Sequence, residues 1–67
     1  MTVSFNSKKI DLPEKFSLTD FLTKYSIRRE NVILEYNSEV IPRSRDLSGL
    51  LLSEGDEINI FKVVAGG

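Results

Sequence analysis

Residues 17–25 read Ser-Leu-Thr-Asp-Phe-Leu-Thr-Lys-Tyr and carry the clearest helical pattern in this sequence of 67 residues. The apolar side chains fall at i, i+3, i+4 and i+7, which is the spacing of a helix with one buried face. They are Leu18, Phe21, Leu22 and Tyr25. Ser17 and Asp20 form a variant of the capping box, with Asp in place of the usual Glu. The segment therefore predicts one helix that ends near Ser26, with the whole apolar stripe, Tyr25 included, in the core.

The rest of the sequence has the alternating pattern of half-buried strands, punctuated by turn residues. The predicted strands are residues 2–6, 9–12, 31–36, 40–42 and 57–64. The first two make a hairpin that turns around Asn6, and Gly55 supplies a positive φ in the tight turn before the last strand. Residues 43–52 are expected to be irregular, with at most a single helical turn. Its apolar positions would be Leu47, Leu50 and Leu51.

The order strand, strand, helix, strand, strand, strand predicts an α+β domain of the β-grasp, ubiquitin-like type. One main helix would pack across one face of a mixed sheet of about five strands. A ferredoxin-like arrangement is the alternative, but it needs a second full helix that this sequence lacks. We expect residues 1–62 to form the domain and residues 63–67 to form a flexible C-terminal tail.

The composition argues against several classes of function. The net charge is −1 without a basic stripe, so we expect no nucleic-acid partner. No apolar run approaches the roughly 20 residues that span a membrane, and no signal-peptide pattern is present, so we expect a cytoplasmic protein. There is no Cys and no His, and the ten acidic residues are scattered. We therefore expect no catalytic residue, no metal and no bound cofactor in a monomer that is not itself an enzyme.

The last predicted strand has apolar side chains on both of its faces. Ile58 and Ile60 would face the helix, while Phe61 and Val63 would face the open side of the sheet. Ile33 would join them there if its strand is adjacent. Contiguous exposed apolar area on a small protein usually marks a partner site. The alternatives are a loop that covers the patch, or a register slip of one residue that buries Phe61.

The sequence closes with Val63-Val64-Ala65-Gly66-Gly67, directly after this strand. Glycine has no side chain to clash, so such an end can enter a narrow active site. An α-carboxyl has a pKa near ~3.5 and is ionised at neutral pH, so it can attack the α-phosphate of ATP and form an acyl adenylate. The alternative is a frayed end without a function.

Three segments resemble the ThiS/MoaD family of ubiquitin-like sulfur-carrier proteins: residues 37–43, 54–58 and 61–67. The first is a turn, a strand and Pro-Arg; the second is an acidic-Gly-Asp turn into the last strand; the third is similar to the shared C-terminal signature. The compact length favours the ThiS side, because there is no insert before the last strand. Some ThiS sequences carry a Trp after the Pro-Arg pair, whereas residues 44–47 here are Ser-Arg-Asp-Leu.

The resemblance implies a sulfur-transfer cycle at Gly67. A ThiF-like enzyme would adenylate its carboxylate with ATP and Mg²⁺. Sulfur from a cysteine desulfurase or another persulfide donor would then displace AMP and leave a thiocarboxylate. The thiazole synthase ThiG would receive that sulfur for the thiazole ring of thiamine. The resemblance further implies that Ala65 and Gly66 keep the tail narrow, and that Phe61, with Val63, binds the activating enzyme. Ile33 is expected to belong to the same partner-binding surface because of its place on the open face of the sheet.

Three other functions remain open at this point. A MoaD-like carrier would deliver the same sulfur to a pterin in molybdopterin synthesis. A ubiquitin-like modifier would join Gly67 to lysines of other proteins, and a plain β-grasp interaction domain would not use the tail at all. A conventional enzyme ranks last, because His and Cys are missing.

Overall fold

The computed structural model describes residues 1–63. Its elements in chain order are β1 (Thr2–Phe5), β2 (Lys8–Asp11), α1 (Leu18–Lys24), a 3₁₀ turn (Arg29–Asn31), β3 (Val32–Tyr36), β4 (Glu39–Ile41) and β5 (Glu57–Lys62). The strands form a five-stranded sheet in the order β2-β1-β5-β3-β4. β1 and β5 are parallel and the other neighbours antiparallel, so the sheet is mixed. The predicted β-grasp fold is confirmed, and β5 lies at the centre of the sheet.

Both hairpins of the sheet turn on the same dipeptide, Asn-Ser. Asn6 and Ser7 have φ of 47° and 70°, and Asn37 and Ser38 have φ of 49° and 71°. Two-residue hairpin loops favour positive φ at both positions, since that twist matches the twist of the strands, and Asn tolerates this conformation better than most residues.

The helix α1 begins with the full capping box. The Ser17 hydroxyl accepts a hydrogen bond of 3.0 Å from the Asp20 amide, and the Asp20 carboxylate accepts one of 3.0 Å from the Ser17 amide. Asp is therefore long enough to complete the motif here. Ser26, with φ of 55°, turns the chain away after the last helical residue.

The core lies between α1 and the inner face of the sheet. Its buried members are Val3, Leu12, Leu18, Phe21, Leu22, Leu34, Ile41, Leu47, Leu52 and Ile58. Tyr25 is not among them, although the sequence predicted that it would be, because the helix ends at Lys24 and leaves this ring at the margin of the sheet. Tyr25 is 37% exposed and its ring centroid lies 5.0 Å from that of Phe21.

Residues 43–52 are irregular as predicted and contain no helix, but Leu51 is not part of a helical turn, contrary to the prediction. The Leu50 amide does close a turn by donating to the Leu47 carbonyl at 3.0 Å. The chain then extends, and Leu51 pairs with Ser17 in an isolated bridge. Successive side chains of extended backbone point to opposite sides. Leu52 is consequently buried and Leu51 is 58% exposed.

No helix within residues 1–63 is long and apolar enough to cross a membrane.

Candidate functional site

Phe61 and Ile33 lie directly opposite each other in the β3–β5 ladder, on the open face of the sheet. Phe61 is 51% exposed and Ile33 is 43% exposed, whereas Ile58 is fully buried. The register therefore places Ile58 in the core and Phe61 outside it, and within residues 1–63 no loop covers the pair. Whether Phe61 and Ile33 bind a partner stays a prediction.

Val63 continues this ladder beyond the end of β5. Its amide donates a 3.1 Å hydrogen bond to the Asn31 carbonyl, and its side chain is 44% exposed. The alternation of a strand puts it on the same face as Phe61. Val40 also lies on this face, because it pairs with Glu35, and it is exposed. Val40 was not among the predicted surface residues, although its position beside Ile41, which is buried, indicated an outward side chain.

Asn6 holds β5 near its C-terminal end. Its Oδ1 accepts a 2.8 Å hydrogen bond from the Ile60 amide, and its Nδ2 donates to the Ile60 carbonyl at 3.3 Å. Its own amide donates to the Ile58 carbonyl at 3.0 Å. The side chain thus replaces the backbone of β1 after that strand has turned away, and extends the pairing of β1 with β5 up to Ile60.

Asn37 holds the start of β5 in a similar way. Its Oδ1 accepts a 2.8 Å hydrogen bond from the Glu57 amide, and its own amide donates to the Glu57 carbonyl at 2.9 Å. Each Asn-Ser turn therefore contributes an asparagine to the same central strand. From the sequence, both asparagines were predicted only as turn residues, and their hydrogen bonds to β5 were not predicted.

Asp56, immediately before β5, gathers three hydrogen bonds. Its carboxylate accepts from the Tyr36 hydroxyl at 2.5 Å, from the Ser53 amide at 2.8 Å and from the Asn37 side chain at 3.3 Å. Burial raises the pKa of the Tyr36 phenol to about 12, and the hydrogen bond to Asp56 adds to that rise. These contacts fix the turn around Gly55, whose φ is 86° as predicted.

Arginines join the loop after β4 to the 3₁₀ turn, at the end of the sheet where β5 stops. One guanidinium nitrogen of Arg29 donates to the Arg45 carbonyl at 2.6 Å and another donates to the Pro42 carbonyl. In the other direction, Nε of Arg43 donates a hydrogen bond of 3.2 Å to the Arg29 carbonyl. The two segments are therefore held together beside the end of β5.

Chemically, the described residues offer an exposed apolar surface and a strand end held by hydrogen bonds. Among residues 1–63 no group of three or more His, Cys, Asp and Glu is placed to hold a metal ion. The predicted reactive residue Gly67, and the narrow-tail residues Gly66 and Ala65, lie outside the described residues.

A mixed sheet crossed by one helix, with the last strand at its centre and an exposed apolar pair on that strand and its neighbour β3, defines a small ubiquitin-like protein of the β-grasp class. The ThiS family model matches residues 2–67, so the chain belongs to the ThiS family, the sulfur carriers of thiamine biosynthesis. The predicted membership is thereby confirmed.

A solved structure agrees with the fold. The crystal structure of the thiamine biosynthesis protein ThiS from Geobacter metallireducens superimposes with a TM-score of 0.82, at 24% sequence identity, over 100% of both chains. At that level of identity the likeness bears on the fold alone. No curated protein matches the chain.

Proposed function

We propose that this chain carries sulfur as a thiocarboxylate on Gly67 and delivers it to the thiazole of thiamine. The observation that carries the proposal is the family match, which runs through Gly66 and Gly67 to residue 67. The chain would be a co-substrate of its partner enzymes, in the cytoplasm, and would hold no cofactor of its own.

The chemistry requires activation before sulfur can enter. A carboxylate oxygen is a poor leaving group, so the Gly67 carboxylate first attacks the α-phosphate of ATP and pyrophosphate departs. A ThiF-like enzyme would supply the ATP and Mg²⁺ for this step. The terminal sulfur of a persulfide, provided by a cysteine desulfurase or another donor, then attacks the acyl carbon and AMP leaves. A thiol cleaves the new S–S bond, and the thiocarboxylate that remains is the nucleophile for ThiG.

The fold supports this role by holding the strand that leads to the tail. β5 pairs with β1 on one side and β3 on the other, and Asn6 and Asn37 add side-chain bonds near its two ends. A tail that follows a firmly held strand has a defined point of origin, which lowers the entropy lost when an enzyme binds it. Phe61, four positions before Ala65, and Ile33, opposite it on β3, provide apolar area for docking.

Intact-mass spectrometry tests the proposal. The chain is incubated with ATP, Mg²⁺, a purified ThiF-like enzyme and a persulfide donor. We expect the mass increase of one oxygen-for-sulfur exchange, located at Gly67 by fragmentation. The matched control is the same chain with Gly67 amidated, which has no carboxylate to activate and should not change in mass.

The same measurement separates the other functions. Conjugates of higher mass that disappear when Gly67 is deleted would identify a protein modifier and contradict the proposal. Transfer of the sulfur to a molybdopterin synthase subunit, with none to ThiG, would contradict the assignment to thiazole. No mass change under any of these conditions would overturn sulfur transfer altogether.

A further inference from the structure

The positive charge of this protein is concentrated at the end of the sheet where β5 stops. Four segments meet there: the end of α1, the 3₁₀ turn, the loop after β4 and the last residue of β5. They hold six cationic side chains: Lys24, Arg28, Arg29, Arg43, Arg45 and Lys62. They hold two carboxylates, Glu30 and Asp46, so the net charge of this end is +4. We call these six cations and two carboxylates the basic end.

The remainder of the chain has the opposite charge. Of the nine Lys and Arg and ten Asp and Glu in the sequence, three lysines and eight carboxylates lie outside the basic end, a net charge of −5. Three of those carboxylates, Glu54, Asp56 and Glu57, lie at the opposite end of β5. The overall charge of −1 therefore hides a strong separation of charge along the central strand.

The cations of the basic end are well positioned, and all but Arg29 are exposed. Arg29 and Arg43 are held by hydrogen bonds to backbone carbonyls, which fixes the loop that bears Arg45. Arg28 pairs with Glu30 at 2.8 Å. A backbone hydrogen bond to the Glu30 carboxyl, followed by this pair and the charge of Arg43, holds the pKa of that carboxyl below its usual value. Arg45 and Lys62 are exposed, and neither side chain has a hydrogen bond or ion pair to another of residues 1–63.

We propose that the basic end docks against a carboxylate-rich protein surface that surrounds the cleft into which residues 64–67 are received. The inference rests on the proposed function, in which that cleft belongs to the ThiF-like activating enzyme. Arginine forks match carboxylates in geometry as well as charge. Complementary charge increases the rate of productive encounter and orients the partners before contact, so the tail end would arrive first. A nucleic acid is disfavoured as partner, because its phosphates would also meet the net charge of −5 on the rest of the molecule.

Association kinetics with a purified ThiF-like enzyme, measured at low and high salt, test this inference. The variant Arg45→Glu/Lys62→Glu reverses two accessible charges of the basic end. The control Lys8→Glu/Lys9→Glu makes the same change in net charge on β2, one of the two edge strands of the sheet. Lys9 pairs with Ser4, which in turn pairs with Glu57 at the start of β5, so the control lies away from the end where β5 stops. At low salt we expect the association rate constant to fall roughly tenfold or more in the first variant and to change less than about twofold in the control.

Folding, DNA binding and adenylation are measured alongside the association rate. Matching circular dichroism and thermal melting establish that both variants fold, and Arg45→Glu alone, in an exposed loop, serves if the double variant does not. The inference would be overturned if both double variants slowed association equally, or if the association rate of the native chain did not depend on salt. It would also be overturned if the native chain bound single-stranded DNA more tightly than it bound the ThiF-like enzyme. At saturating enzyme, the variant Arg45→Glu/Lys62→Glu should be adenylated at nearly the native rate. Failure of the proposed function would look different, because the native chain itself would then not be adenylated.

Discussion

The hydroxyl of Tyr36, the last residue of β3, donates a 2.5 Å hydrogen bond to the carboxylate of Asp56, the residue before β5. The same carboxylate oxygen accepts from the Ser53 amide at 2.8 Å. The phenol of one strand therefore stabilises the turn through which the chain enters the next. This contact lies directly before the first residue of β5, on the chain's path from the Gly55 turn into that strand.

Replacing Tyr36 with Phe should lower the free energy of unfolding by about 1 kcal/mol, the usual worth of one hydrogen bond, because Asp56 loses its phenolic donor. Urea denaturation measures the change. Tyr25→Phe is the matched control, because the Tyr25 hydroxyl has no hydrogen-bond partner within residues 1–63. Equal losses in the two variants would show that the bond to Asp56 contributes nothing of its own.

The burial of Tyr36, together with this bond, makes stability depend on pH in the alkaline range. The pKa of Tyr36 is raised to about 12 in the folded chain, against about 10 for a free phenol, so folding favours the protonated form. The stabilisation is complete below about pH 10 and is lost as the pH rises through about 12. The stability difference between native and Tyr36→Phe proteins should therefore shrink over that interval. A Tyr36 phenol that titrates at its ordinary pKa, followed by ultraviolet absorbance, would contradict this.

Asn6→Gly tests the side-chain clamp on β5. Glycine keeps the positive φ that the turn requires and removes both side-chain hydrogen bonds to Ile60. We expect the free energy of unfolding to fall by about 1–2 kcal/mol and the Ile60 amide to exchange its hydrogen faster. Ser7→Gly, in the same turn, is the control and should leave that amide protected. Unchanged exchange at Ile60 in Asn6→Gly would rule out the clamp.

Phe61→Ala tests the docking surface. The ring is half exposed, so its truncation should leave the fold nearly as stable as before. Loss of an interface anchor typically costs ~2 kcal/mol or more, which corresponds to an affinity for the activating enzyme that is weaker by roughly thirtyfold. Leu51→Ala is the control, since Leu51 is similarly exposed but lies beside the start of α1. Normal adenylation of Phe61→Ala at low enzyme concentration would remove Phe61 from the docking role.

Features that depend on neighbours in the sequence were predictable. The capping box spans Ser17 to Asp20, the apolar stripe of α1 repeats within two turns, and Gly55 sits in a turn that needs its positive φ. The outward position of Phe61 followed from alternation along one strand. These signals are local, so a pattern of a few residues specifies them.

Features that depend on distant partners were not predictable. Asn6 contacts Ile60 across 54 positions of sequence, and Tyr36 contacts Asp56 across 20. Such contacts require the strand order and register, neither of which is written in any one segment. The basic end was missed for the same reason: its cations come from separate segments, and the net charge of the whole chain conceals them.

The central place of β5 has a mechanical consequence. β5 lies beside β1 in parallel and β3 in antiparallel orientation, with hydrogen bonds across both of its edges. A partner that draws on residues 64–67 along the strand direction must slide β5 past both neighbours, which strains those bonds together instead of opening them one by one. In the proposed function, the body would therefore withstand traction while an enzyme takes in the tail and releases it.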